Sequence, residues 1–116
     1  MYVSRVIDVV VTDGFEAWFM ELDTVSTQAV DRIVSLLQLK GVTLGWPYSS
    51  QIKGSKIALR ELRVQAAGHP LRVFSIFDPA RSAVLLIGGD KTGDDRFYEK
   101  MILEAGNAYQ HYLTER

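Results

Sequence analysis

The sequence predicts an α+β fold with the element order β-α-α-β-β-β-α, in which a helical hairpin packs on a mainly antiparallel sheet and a C-terminal helix follows. Three observations predict it. Apolar residues recur at helical spacing in the first third and in the last fifth of the chain. They follow strand patterns between residues 59 and 87, and turn-forming residues separate the segments. A chain of 116 residues suits a single domain, residues 1–116.

The first third of the chain predicts one strand and two helices. The apolar run from Val6 to Val11 predicts a short strand. Asp13 is expected to cap the first helix, with Glu16 completing a capping box. The buried stripes are Phe15, Trp18, Phe19 and Leu22 on the first helix, and Val30, Ile33, Val34 and Leu37 on the second. Gly41 is expected to end the second helix, and the short connection predicts an antiparallel hairpin.

The rest of the chain predicts a long loop, a three-stranded antiparallel meander and a last helix. The stretch 41–56, "GVTLGWPYSSQIKGSK", is too rich in Gly, Pro and Ser for a regular element. The strands are expected at 59–65, 71–77 and 83–87, with turns at "AAGHP" and "DPARS". Two glycines should end the central strand, and Asp94 or Asp95 should begin the helix. Its apolar stripe is Tyr98, Ile102, Ala105, Tyr109 and Leu113.

Composition limits the kinds of chemistry that are possible. Apolar residues make up 47% and charged residues 23%, and no apolar run approaches the length of a membrane span, so no membrane association is expected. The start of the chain does not resemble a secretory signal, and the cytoplasm is the expected location. Without cysteine there is no disulfide or thiolate chemistry. The two histidines, His69 and His111, lack carboxylates at ligand spacing, so we expect neither a metal nor another cofactor.

Charge is distributed unevenly along the chain. Residues 1–39 carry two bases against six acids, residues 40–81 seven bases against two acids, and residues 82–116 four bases against six acids. The middle segment is therefore +5 although the whole chain is −1. Such a segment can form a positive surface for a polyanion, although a set of solvated strand faces would give the same count.

Four stretches together resemble a known toxin superfamily. They are "FEAWFMELD", "LGWPYSSQIKGSKIALRELRVQ", "HPLRVFSIFDPAR" and "AVLLIGGDKTGDDRFYEKMI". In this order they resemble the phage-derived, HigB-like branch of the RelE/ParE superfamily over nearly the whole chain. The resemblance implies a RelE-like microbial ribonuclease fold and the toxin half of a type II toxin–antitoxin pair. RelE and HigB members cut mRNA in the ribosomal A site, whereas ParE members poison DNA gyrase. The implied partners are the ribosome, mRNA and a cognate antitoxin, a small helix-turn-helix protein.

The candidate catalytic residues are Arg72, Lys91 and Tyr98. By resemblance, Arg72 matches the strand arginine that binds the scissile phosphate; the alternative is a structural salt bridge to Glu61 on the facing strand. Lys91 lies at a strand end beside flexible glycines, where it could bind a phosphate or transfer a proton. Tyr98 corresponds by position to a stacking or catalytic tyrosine, and burial on the helix stripe is its alternative role.

The candidate RNA-binding residues are Lys53, Lys56, Arg60 and Arg63, whose positions suit contacts with the backbones of rRNA and mRNA. For each of them a solvated surface cation is the alternative. Trp46 and Tyr48 could stack on bases or pack within the loop. A phosphate-binding P-loop is excluded at "GGDKTG", because its glycine spacing is absent.

Three functions remain open at this point. The chain could be a metal-free, ribosome-dependent mRNA endonuclease, a ParE-like gyrase inhibitor, or an inactive prophage relic that binds only its antitoxin. Under the first hypothesis, Arg72→Ala is expected to abolish toxicity while leaving the fold intact.

Overall fold

A five-stranded mixed sheet carries helices on both of its faces. The computed structural model describes residues 7–79 and 82–115. The strands are β1 (Val9–Val11), β2 (Ser49–Gln51), β3 (Arg60–Ala66), β4 (His69–Phe77) and β5 (Ala83–Asp90), and the helices are α1 (Asp13–Met20), α2 (Thr24–Lys40) and α3 (Phe97–Glu115). The strand order is β1-β5-β4-β3-β2, and only β1 pairs in parallel, with β5. The predicted α+β architecture is confirmed.

Each face of the sheet has its own apolar core. On one face, α1 and α2 pack as a hairpin through Phe15, Val30, Ile33 and Leu37 against inward residues of β3, β4 and β5. On the other face, α3 packs through Phe97, Met101 and Ala105 against Phe74, Ile76, Val84 and Leu86. The buried residues of α3 thus begin at Phe97, one position before the Tyr98 that was expected to begin the buried stripe. Tyr98 itself is half-buried at the edge of this contact.

The loop expected at 41–56 contains a strand that the sequence did not predict. Gly41, at φ +57°, ends α2 and opens a single 3-10 turn at Gly41–Thr43. Three residues, Ser49–Gln51, then pair antiparallel with β3. A three-residue strand gives no periodic signal, and its pairing depends on the neighbouring β3. The strand expected at 6–11 is present as β1, while Val6 lies outside the described residues.

Two of the helix starts differ from the prediction. Thr12, not Asp13, caps α1: its Oγ1 accepts a hydrogen bond from the backbone N–H of Phe15 at 3.1 Å. The last helix begins at Phe97 rather than at Asp94 or Asp95. Asp94 instead accepts a hydrogen bond from the backbone N–H of Arg96 at 3.0 Å, which closes a turn before the helix. In both places a short polar side chain competes for local backbone donors and moves the boundary.

The turn between β3 and β4 is shorter than the five residues expected. It consists of Ala67 and Gly68. Both have positive φ (51° and 82°), because a two-residue turn needs this conformation for its twist to match that of the two strands. His69 therefore opens β4 instead of lying in the turn. Its Nδ1 lies 2.9 Å from Oδ2 of Asp90, the last residue of β5.

The sequence predicted that the paired glycines end β5. They lie inside this strand instead. They leave space for aromatic rings on opposite faces of the sheet. A Cβ at Gly88 would overlap the ring of Trp18 from α1, and a Cβ at Gly89 would lie 2.9 Å from Cε1 of Phe97. The glycines therefore allow both helical layers to approach the end of β5.

Within the described ranges, no helix combines the length and the apolar character needed to cross a membrane.

We predict that Gly88→Ala lowers the free energy of unfolding by about 2 kcal/mol, because the added methyl group displaces the ring of Trp18. Gly106→Ala, in α3, is the matched control: nothing lies within 4 Å of its added Cβ, so it should raise stability by about 0.5–1 kcal/mol. Urea unfolding measures both changes. Equal effects of the two substitutions would contradict this role of Gly88.

Candidate functional site

A buried carboxylate, Glu61 of β3, organises the polar groups on the α3 face of the sheet. Its Oε1 accepts a hydrogen bond from the hydroxyl of Tyr98 at 2.7 Å and lies 3.2 Å from Nε of Arg72. Its Oε2 accepts a hydrogen bond from Oγ of Ser50 at 3.0 Å and lies 3.6 Å from Nη1 of Arg63. We call these five residues the Glu61 cluster.

Strand register brings the cluster together. Ser50 of β2 is opposite Glu61, and Arg63 is opposite Arg72 of β4. Because side chains alternate between the two faces of a sheet, Glu61 and Arg63 share a face, and their partners share it with them. Tyr98 reaches the same face from the first turn of α3. Three adjacent strands and a helix start therefore converge on one carboxylate.

Arg72 is 4% exposed and makes a salt bridge to Glu61. From the sequence, this structural salt bridge was the alternative to a phosphate-binding role. Its Nη1 donates a hydrogen bond to the carbonyl of Leu71 at 2.9 Å. Its Nε is close to the carboxylate but not in hydrogen-bond alignment, so this contact is an ion pair. A buried guanidinium is costly unless it is paired, and Glu61 supplies the pairing. Arg72 nevertheless lines an open cleft, described below.

Lys91 and Tyr98 lie together, at the end of β5 and the start of α3. The Nζ of Lys91 is 5.1 Å from the centre of the Tyr98 ring, a cation–π contact. Phe74 and Phe97 pack on the same ring in edge-to-face geometry at 6.1 and 5.3 Å. Desolvation and the hydrogen bond to Glu61 raise the pKa of Tyr98 above its usual value, while a hydrogen bond with Arg72 opposes them. Tyr98 is therefore a neutral phenol at physiological pH.

The cluster borders an open cleft of about 440 Å³ at the β3 side of the sheet. Its lining residues are Arg32, Ile33, Trp46, Pro47, Tyr48, Arg63, Gln65 and Arg72. Three of them are arginines, and none of the described residues that line the cleft is a carboxylate. The guanidinium of Arg63 lies over the ring of Trp46, 4.5 Å from the ring centre. A cleft with three cations and two exposed aromatic rings suits a single-stranded nucleic acid.

The other candidate RNA-binding residues lie outside this cluster. Arg60 points to the hairpin face of β3, where its Nε donates a hydrogen bond to Oγ of Ser49 at 3.3 Å. Lys53 and Lys56 are exposed in the loop before β3. Since Arg60 is three residues before Arg63, that loop begins about 10 Å along the strand from the cleft. Of the four candidates, the structure brings only Arg63 to Arg72.

Both histidines are exposed, and each lies close to a carboxylate. His69 pairs with Asp90 and so connects the beginning of β4 to the end of β5. Although desolvation acts in the other direction, hydrogen bonds from Thr92 and His69 hold the pKa of Asp90 below its usual value. His111 pairs with Glu115, four residues on, at 3.4 Å. In the two described ranges, no group of His, Asp and Glu could hold a metal ion.

The central role of Glu61 and the contributions of Ser50 and Arg32 were not predicted from the sequence. One signal was available for Glu61: it is one of only two acids among the nine charged residues between positions 40 and 81. An acid on the same strand face as a cation is a candidate for pairing. Ser50 and Arg32 gave no signal, because β2 was not predicted and Arg32 is on a helix distant in sequence.

Comparison with known proteins identifies the family of this fold and site. The family described as "Phage derived protein Gp49-like (DUF891)" matches residues 17–110. The chain belongs to this Gp49-like family.

Two relatives from Mycobacterium tuberculosis (strain ATCC 25618 / H37Rv) support this assignment. The Gp49-like chain is 36% identical over 108 residues to a protein named "Putative toxin HigB3", covering 91% of this chain and 93% of the relative. It is 30% identical over 106 residues to one named "Putative toxin HigB2", covering 89% of this chain but 53% of that relative. No solved structure gives a significant match.

The burial of Arg72 changes what we expect of Arg72→Ala in this Gp49-like chain. Removing the guanidinium leaves Glu61 buried without its closest cation, so we predict a loss of about 3 kcal/mol in the free energy of unfolding. Arg63→Ala is the matched control and should lose less than about 1 kcal/mol, because Arg63 is more exposed and its ion pair is longer. Chemical denaturation measures both values. If Arg72→Ala were as stable as the wild type, the Glu61 pair would not be structural.

The raised pKa of Tyr98 predicts that its phenol ionises at a higher pH than an ordinary tyrosine. Because the folded state favours the neutral phenol, the stability contributed by Tyr98 is present below its unfolded pKa near 10 and is lost as pH rises through the folded pKa. Ultraviolet titration of the folded protein should show one tyrosine ionising above the ordinary range. Tyr98→Phe should remove that step, and its persistence in Tyr98→Phe would contradict the assignment.

Proposed function

We propose that this Gp49-like protein is the toxin of a type II toxin–antitoxin pair and that it cleaves mRNA on the ribosome without a metal ion. Membership of the family and relatives named as toxins support the toxin role. One observation carries the nuclease proposal. The cleft is lined by three arginines, and one of them, Arg72, shares the carboxylate of Glu61 with the hydroxyl of Tyr98.

The residues around the cleft can be given roles in the reaction. In metal-free cleavage, water or a base takes the proton of the 2′-hydroxyl, the 2′-oxygen attacks phosphorus, the bond to the 5′-oxygen breaks, and that oxygen takes up a proton. Arg63, Arg72 and Lys91 are proposed to hold the phosphate and neutralise the charge that develops on it. Tyr98 is proposed to donate the proton to the 5′-oxygen. Arg72, which is hydrogen-bonded to its hydroxyl, would stabilise the phenolate that results.

The remaining cations are proposed to contact the nucleic-acid backbone outside the cleft. Arg60, Lys53 and Lys56 continue the positive segment along β3 and the loop before it. Arg60 lies about 10 Å along β3 from Arg63, so these three cations are proposed to contact rRNA or the flanking mRNA and not the phosphate that Arg63 holds. These contacts would strengthen ribosome binding without taking part in the bond-breaking step.

The partner implied by a toxin of this kind is an antitoxin, which we propose is a small helix-turn-helix protein encoded beside it. The antitoxin would keep the toxin inactive until the antitoxin is degraded. Coexpression of the neighbouring reading frame is therefore the control in which toxicity should disappear.

We predict that expressing the chain without its antitoxin arrests growth and produces new mRNA 5′ ends within reading frames. Tyr98→Phe keeps the ring packing but removes the hydroxyl, so it should lower cleavage by about 100-fold or more. Tyr109→Phe is the matched control: it removes a hydroxyl from the same helix, away from the cluster, and should cleave like the wild type. Mapping mRNA 5′ ends after induction measures all three proteins.

Two results would contradict the nuclease proposal. Intact mRNA together with gyrase-linked DNA breaks would favour a ParE-like gyrase inhibitor. Neither effect, in cells that contain the folded wild-type protein, would favour an inactive prophage relic that binds only its antitoxin.

A further inference from the structure

An exposed tryptophan lies at the mouth of the cleft, in a segment that the proposed reaction does not use. Trp46 is 72% exposed, although tryptophan is usually largely buried in folded proteins. It is in the connection between α2 and β2 and lines the same cleft as Arg63 and Arg72. Trp46 is not an isolated exposed ring, because Pro47 and the exposed Tyr48 line the same cleft, and contiguous exposed apolar surface of this kind marks interaction sites.

The ring is held in place from one side. The guanidinium of Arg63 lies 4.5 Å from its centre, and Arg63 is itself 3.6 Å from the buried carboxylate of Glu61. The backbone of the Trp46 segment is also attached to β3, because the N–H of Arg63 donates a hydrogen bond to the carbonyl of Tyr48 at 2.8 Å. Trp46 is therefore positioned by the Glu61 cluster while most of its surface stays open to solvent.

Tyr98, which the sequence offered for stacking beside Trp46 and Tyr48, is poorly placed for that role. Phe74 and Phe97 pack against its ring, and the ammonium group of Lys91 lies above it. Its hydroxyl is turned to Glu61 and Arg72. These contacts leave Tyr98 little free ring surface on which a base could stack.

We propose that Trp46, backed by Arg63, is a nucleobase-stacking platform that holds a base of single-stranded RNA at the mouth of the cleft. The proposal rests on the function proposed above and adds a binding subsite to it. Stacking on an aromatic ring does not depend on which base is present, and the adjacent arginines Arg32, Arg63 and Arg72 supply the attraction for the phosphates. The platform would position the RNA chain, and Tyr98 and Arg72 would act on its phosphate.

The test compares normal and abasic RNA. The purified full-length chain is titrated at low salt into a fluorescently labelled single-stranded RNA hexamer, and separately into a hexamer with the same phosphates but no bases. Fluorescence anisotropy gives the affinity for each. The proteins are the wild type, Trp46→Ala, Trp46→Phe and Met20→Ala. Met20 is a matched control because it is 75% exposed and lies on α1, outside the cleft.

The platform predicts a specific pattern. Trp46→Ala should bind the normal hexamer about 10-fold more weakly than the wild type, whereas Trp46→Phe should lose less than about 3-fold. For the abasic hexamer, the wild type and Trp46→Ala should have equal affinities. Met20→Ala should behave like the wild type with both RNAs. Because Trp46 is exposed, none of these changes should alter thermal unfolding appreciably.

Three results would overturn the platform: equal affinity of the wild type and Trp46→Ala for the normal hexamer, no binding of RNA by the wild type, or an equal loss on the normal and abasic hexamers. The last would show that Trp46 only supports the phosphate contact of Arg63. These outcomes are independent of the cleavage assay, since a wild type that cuts mRNA without base-dependent binding would retain the proposed function and lose only the platform.

Discussion

The buried ion pair between Glu61 and Arg72 is the interaction on which the candidate site depends. Neither charge could remain inside the sheet without the other, since an unpaired buried charge costs several kcal/mol. Once paired, the two charges hold the hydroxyl of Tyr98 on one side and Arg63 on the other. The same pair thus stabilises a junction of three strands and orders the wall of a basic cleft. A structural salt bridge and a functional arginine, which the sequence presents as alternatives, are compatible here.

The second constraint is the approach of aromatic rings to the end of β5. A bulge between Phe74 and Ser75 of β4 pairs Phe74 with Ile87 and Ser75 with Leu85, so Leu86 is the extra residue of β5. With this register, Gly88 lies under Trp18 on the hairpin face and Gly89 under Phe97 on the α3 face. After a shift of one residue, only one of the two rings would still lie over a glycine, and the other would meet the side chain of Ile87 or Asp90. The position of Tyr98 beside Glu61 follows from this packing.

The sequence predicted the features that depend on long periodic patterns. The hairpin of α1 and α2, the three longest strands and α3 were all found, because each buries a stripe or an alternating face. Features that depend on contacts between distant segments were missed: β2, whose three residues gain their pairing from β3, and the continuation of β5 through its glycines. For the site, Arg72 could be selected because it is a charge on an otherwise apolar strand face, whereas its role, and the selection of Tyr98, came from resemblance. The central position of Glu61 among its four partners could be predicted only from the register between strands. The residue pattern of a single strand does not contain that information.

We propose that the charges of Glu61 and Arg72 serve RNA cleavage as well as the fold. A double variant, Glu61→Leu with Arg72→Met, separates the two roles, because replacing a buried ion pair by apolar residues of similar size is often neutral for stability. The most direct measurement is mRNA 5′-end mapping after induction of this variant, alongside its unfolding free energy. We expect a folded protein of nearly wild-type stability that leaves mRNA intact. A folded double variant that cuts mRNA as the wild type does would contradict the proposal.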